Sequence, residues 1–317
     1  MSTPDPNPME RLERAVALYL EWQARADRAD ALELLRANPE LRDLLEPMLS
    51  DRKPPEGATE SQGRVLGDYV VERELGRGRC GVVFEARHVS DAQRVALRVL
   101  AAELARDPYQ LARLRRDLLA AARLTHPGIA RVLAVGSTGA AHWVASEYVA
   151  GSQLTHHAPP DAGAALRVGV RLCEALAYAH GRGVVHRDLR PSNVLLRGGD
   201  RPVLVDFGLA PPRAGARFCT EEALFLAPEQ LAGEPVDPRA NVFALGAILH
   251  RLLMRTPEAG RGPAGVPGEQ LLGLIGRATA RDPGLRPADA GILLRELRGF
   301  GGDAAVGQGT GPAGSGA

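Results

Sequence analysis

The tightest constraint on the fold is a change of periodicity near residue 150. From Tyr69 onward the chain runs in short β-like pieces, Tyr69–Glu74, Val82–Arg87 and Arg94–Leu100, separated by Gly-containing turns. A helical run follows over Tyr109–Leu124, then strand-like pieces at Ile129–Gly136 and His142–Tyr148. After Gly151 the spacing turns mostly helical, at Ala164–Arg182, Ala240–Arg255, Gly268–Ala280 and Ala288–Leu297. Strands first and helices afterwards predict a two-lobed α+β architecture, with a small β-rich lobe over 68–149 and a larger helical lobe over 150–298.

The flanks read differently. Residues 1–50 form a helical segment, with Val16, Leu20, Leu32 and Leu35 on apolar faces and Pro39 starting a second short helix that carries Leu41, Leu44, Leu45 and Met48. That hairpin is either a partner-docking or autoregulatory module or an N-terminal brace on the main body. Residues 51–67, with Pro54, Pro55, Gly57 and Gly63, read as a linker, and 299–317 as a disordered Gly-rich tail.

Composition narrows the function classes. At 45% hydrophobic, 24% charged and a net charge of +1, the chain is an ordinary globular one without the basic face that nucleic acid requires. Cys80, Cys173 and Cys219 are too few and too scattered for a disulfide framework, which suits a reducing cytoplasm. The N-terminus lacks a signal-peptide pattern, and the apolar stretch Val242–Met254, broken by His250 and Arg251, falls short of the roughly 20 residues of a membrane helix. A soluble cytoplasmic protein with no membrane span is expected.

Gly76-Arg77-Gly78-Arg79-Cys80-Gly81-Val82-Val83 is a GxGxxGxV loop, a spacing that dinucleotide folds share. A dinucleotide turn opens a helix, whereas Val82–Ala86 reads as a strand, so this loop joins two strands and can fold over a nucleotide's phosphates. More specific are His186-Arg187-Asp188-Leu189-Arg190-Pro191-Ser192-Asn193, then Asp206-Phe207-Gly208, then Ala227-Pro228-Glu229. In this order the motifs resemble the eukaryotic-type Ser/Thr protein kinases of bacteria, over about Tyr69–Leu297.

The resemblance implies ATP and Mg²⁺ as cofactors and a protein substrate or signalling partner. Phosphoryl transfer needs positioning and charge neutralisation more than covalent chemistry. Asp206 and Asn193 would be the metal ligands, and Asp188 would accept or orient the substrate hydroxyl. Gly76, Gly78 and Gly81 would cover the phosphates. Val83, Ala96 and Leu195 would sandwich the adenine, and the hinge Glu147–Val149 would bond its edge. Ser146 holds the gatekeeper position, where its small size would leave a deep pocket. His186 and Phe207 match lobe-linking packing residues, and Glu229 with Arg286 matches a buried ion pair.

Several positions depart from the family pattern. All but one of the 39 Lys and Arg residues are Arg, and the exception, Lys53, lies in the linker. Arg98 therefore stands where the phosphate-holding lysine belongs, and Arg190 replaces the lysine two residues after the catalytic Asp. Counting back nine residues from His126 puts Asp117 at the helix-glutamate position. A longer cation facing a shorter anion predicts a closed Arg98–Asp117 ion pair, its cation ill placed for phosphates. Glu222 stands where a threonine would bond Asp188, and Asn241 stands where an aspartate would anchor the catalytic loop, able to accept one hydrogen bond there but bringing no charge. Thr256–Gly268 is Gly/Pro-rich in place of a substrate-docking helix. Thr220 is the sole hydroxyl between Gly208 and Ala227, hence the candidate phosphosite with Arg187 as its receptor, unless Glu221 and Glu222 already supply the charge. Drift toward Arg accounts for the arginines but not for Glu222, Asp117 or Asn241. The expectation is a Ser/Thr protein kinase with attenuated activity, or else an inactive pseudokinase that works as a nucleotide-responsive scaffold. A small-molecule phosphotransferase fits Ala227–Glu229 and Arg286 less well.

Overall fold

The computed structural model describes residues 63–102, 104, 108–139, 141–209, 220–257 and 268–300, together with scattered positions between 11 and 45. Of the expected tail 299–317, Gly299 and Phe300 are helical and the rest lies outside the described residues, as do Cys219, most of the Gly/Pro stretch after Thr256 and most of the expected N-terminal hairpin, Leu20, Leu44 and Met48 among them. The chain divides into two compact units, Met1–Gly57 with Arg213–Phe225, and Ala58–Pro212 with Leu226–Ala317.

In the first unit, residues 11, 14, 18, 34, 36 and 37 are helical. Pro39–Leu41 forms a 3-10 turn whose preceding Asn38 donates its side-chain amide to the Leu34 carbonyl at 3.0 Å. Leu41 and Leu45, two of the expected apolar positions, are buried.

The second unit begins with the sheet. Strands β1 (Val65–Leu66), β2 (Tyr69–Gly78), β3 (Gly81–His88), β4 (Arg94–Leu100), β5 (Val132–Thr138) and β6 (Ala141–Glu147) form an antiparallel sheet in the order β1-β2-β3-β4-β6-β5. Alternation sets its faces: Tyr69, Val71, Phe84, Ala86, Val95, Leu97, Trp143 and Ala145 turn to one buried side. Helix α1 (Pro108–Ala121) follows β4, its Leu114, Leu118 and Ala121 buried at helical spacing.

Beyond the hinge comes a small sheet that the periodicity does not announce, β7 (Ser152–Gln153), β8 (Val194–Arg197) and β9 (Arg201–Leu204), in that order. Helix α2 (Ala162–His180) starts where Asp161 accepts from the Ala164 amide at 2.7 Å. Short helices α3 (Thr220–Ala223), in the first unit, and α4 (Pro228–Leu231) precede α5 (Pro238–Met254), α6 (Gly268–Ala278) and α7 (Ala290–Phe300). Asp237 caps α5 by accepting from Arg239 N at 2.8 Å, with Pro238 supplying a first-turn residue that has no amide to satisfy. Among the described residues no helix is long and apolar enough to cross a membrane.

Candidate active site

A cavity of about 500 Å³ opens between the large sheet and β8–β9. The hairpin β2–β3 roofs it. Strand β2 continues to Gly78, which pairs with Gly81, so the glycine loop is the end of a hairpin. Its glycines serve different purposes. Gly81 has φ +129°, and a Cβ there would meet the Val99 carbonyl oxygen at 1.9 Å, so only glycine lets β3 approach β4 this closely. At Gly76 and Gly78 a Cβ would meet nothing within 4 Å, and both line the cavity.

One end of the cavity is apolar. Val83 from β3, Ala96 from β4 and Leu195 from β8 line it, with the hinge residues Glu147 and Val149 and the small Ser146 at its edge. Ala130, Val144 and Val205 extend this lining, although their motifs give no sign of it. The hinge is braced from outside. Glu147 accepts from Arg197 at 2.6 Å, and the Arg94 guanidinium lies 4.1 Å over the Tyr148 ring.

The other end holds the charges. A short 3-10 turn, Pro191–Asn193, brings Asn193 back so that its Nδ2 donates to the Asp188 carbonyl at 2.8 Å and to its Oδ2 at 3.0 Å. Arg190 places Nε 3.4 Å from the same Oδ2. Across the cavity Asp206 has a left-handed φ of +66°. Cys80 lines the same end, its thiol pushed up to about 12 by burial first and then by Asp188, and is therefore held in the protonated, unreactive form.

The expected Arg98–Asp117 pair does not form. Arg98 closes on Asp206 instead, Nε to Oδ1 at 3.2 Å and Nη2 to Oδ2, a two-point contact. Asp117 pairs with Arg187 at 2.8 Å, with Arg116 at 3.4 Å and Arg113 at 3.9 Å around it. Helix α1 is nonetheless close: a Cβ on Gly208 (φ +79°) would sit 2.9 Å from the Asp117 backbone. The reason is therefore local. A carboxylate one methylene shorter than Glu stops at the catalytic loop, while the long planar fork of Arg98 finds both oxygens of Asp206.

The surrounding anchors stand. Asn241 accepts from the His186 amide at 3.0 Å, the bond expected of it, and exceeds that expectation because the same Oδ1 also receives the His180 Nε2–H at 3.0 Å. The His186 Nε2–H donates to the Val205 carbonyl at 2.9 Å, its ring 4.5 Å from that of Phe207, and burial lowers its pKa. Glu229 and Arg286 form a buried two-point pair at 2.7 and 2.9 Å. Burial pushes the Glu229 carboxyl up, but the Arg286 hydrogen bonds and charge prevail and hold it below its ordinary value. Sequence reading missed Gln230, which ties α4 to the catalytic loop by donating to the Arg187 carbonyl at 2.7 Å. Thr220 and Glu222 belong to α3 of the first unit.

Residues 69–262 match the model of the protein kinase domain family. Among curated proteins, the chain is 32% identical over 256 residues to a probable serine/threonine-protein kinase of Streptomyces coelicolor, covering 75% of this chain and 38% of that protein. It is 38% identical over 205 residues to the serine/threonine-protein kinase PknJ of Mycobacterium tuberculosis, covering 61% and 35%. The chain thus spans little more than a third of these relatives. Among solved structures, the PknI kinase domain of Mycobacterium tuberculosis superposes with a TM-score of 0.62 at 31% identity, over 75% of this chain and 98% of that one.

Proposed function

Because the chain belongs to the protein kinase family, whose members use ATP and Mg²⁺, we propose that it binds ATP and transfers the γ-phosphoryl to Ser or Thr hydroxyls of a protein at an attenuated rate. The observation that carries this reading is the convergence of Asp188, Asn193 and Asp206 on one cavity beneath the glycine hairpin.

The cavity fits the nucleotide. Its apolar end suits a flat base, and the space over Gly76 and Gly78 leaves room for phosphate oxygens. The donor set fits the metal as well: Asp206 offers carboxylate oxygens, and Asn193 commits its amide nitrogen, not its oxygen, to Asp188. Bound there, Mg²⁺ would neutralise the phosphates. The chain's own residues do the rest. Asp188, oriented by Asn193, receives the substrate hydroxyl hydrogen bond and takes its proton as the oxygen attacks. Arg190 beside it supplies positive charge where the transferring group passes.

The Arg98–Asp206 pair favours a second reading, a pseudokinase in which nucleotide acts as a conformational ligand, because it engages the carboxylate that the metal needs. Incubation with labelled ATP and Mg²⁺ or Mn²⁺, beside Asp188→Ala, separates the two. Label that enters the protein or an added substrate and disappears in the variant supports the kinase. A nucleotide-induced rise in melting temperature without label transfer supports the scaffold and overturns the transfer reading.

A further inference from the structure

The counter-charges of this cavity are already in place within the chain. Backbone register pairs Arg98 on β4 with Val83 on β3 and Val144 on β6, two cavity-lining residues, so its side chain leaves the sheet on the cavity face. There it meets Asp206 with two parallel N–H···O bonds, at 13% and 21% side-chain exposure. That enclosure sets the pair apart from an exposed surface ion pair, which water and salt screen. Asp188 is matched in turn by Arg190 and by the Asn193 amide. Both carboxylates that would repel a polyphosphate thus carry a fixed cation of the chain. A lysine's compact ammonium offers no such two-oxygen grip.

We propose that Arg98 is a resident counter-ion competing with divalent metal for Asp206: nucleotide enters this cavity without metal, and a divalent cation reaches Asp206 only when the guanidinium leaves it. This deepens the nucleotide-binding reading and rests on it.

The test is calorimetric titration of the full chain with ATP, in EDTA and in excess MgCl₂, beside Arg98→Lys and Arg98→Ala proteins whose folding is checked by thermal melting. The natural chain is expected to bind ATP with Kd values differing by less than about threefold between the two conditions, while both variants lose at least about tenfold in EDTA. In Mn²⁺ titrations read by electron paramagnetic resonance with ATP present, Arg98→Ala is expected to bind the ion at least about tenfold more tightly than the natural chain. Natural chain that binds ATP only with Mg²⁺ overturns the inference and leaves the nucleotide reading standing, as do variants that behave like it. Absence of ATP binding in either buffer overturns both.

Discussion

Gly76 and Gly81 look equivalent in the motif, yet the chain around them makes them opposites. Gly81 is held at φ +129° against the Val99 carbonyl, so Gly81→Ala forces strain and parts β3 from β4. It is expected to lower stability by about 2 kcal/mol or more. Gly76→Ala meets open space and is expected to stay within about 0.5 kcal/mol of the natural chain. Urea denaturation of both reads the difference, and equal midpoints would refute the assignment. The same division runs through the charged positions. That Arg98 and Asp117 are wrong in length for the family's ion pair is legible in one dimension. That Arg98 turns to Asp206, more than a hundred residues along the chain, is not, because the choice depends on where β9 and α1 place two competing carboxylates.

At the scale of elements, the long helices were legible to within three residues at each end, because their apolar stripes persist over several turns. Strands β8 and β9 were not. Runs as short as Val194–Arg197 and Arg201–Leu204 carry too few residues for a period, and in β9 the consecutive burial of Pro202, Val203 and Leu204 leaves no alternation to read. The junction of α2, α5 and α7 was equally silent. There His180 donates from Nε2 to Asn241 and accepts the Ala290 amide at Nδ1 at 3.2 Å, which fixes one neutral tautomer. Burial lowers the pKa of His180, and likewise that of His186. A folded imidazole that resists its proton while the unfolded one accepts it makes stability complete above about pH 6.5 and drains it below, down to the lowered folded value. Unfolding free energy measured from pH 7.5 to 5 is expected to fall along that window. His180→Gln is expected to flatten the fall by up to about 1.4 kcal/mol per pH unit; an unchanged slope would show that His180 titrates freely.

For the whole molecule, the kinase-domain match covers residues 69–262, and one compact unit holds Ala58–Pro212 with Leu226–Ala317. Removal of residues 1–57 is expected to leave a single cooperative melt within about 5 °C of the full chain, since the sheet core and the helices of that unit are complete without them. A non-cooperative melt would place part of that core in the N-terminal segment. Local order over the long helices and strands β2 to β6, which glycines and carboxylates carry the motifs and which family they spell, was determined by the sequence alone, because it is written in short spacings along the chain. Pairing was decided only by the tertiary structure. Arg98 with Asp206, Asp117 with Arg187 and His180 with Asn241 are partners far apart in the chain, and a charged or polar group takes the partner that the packed backbone brings within about 3 Å.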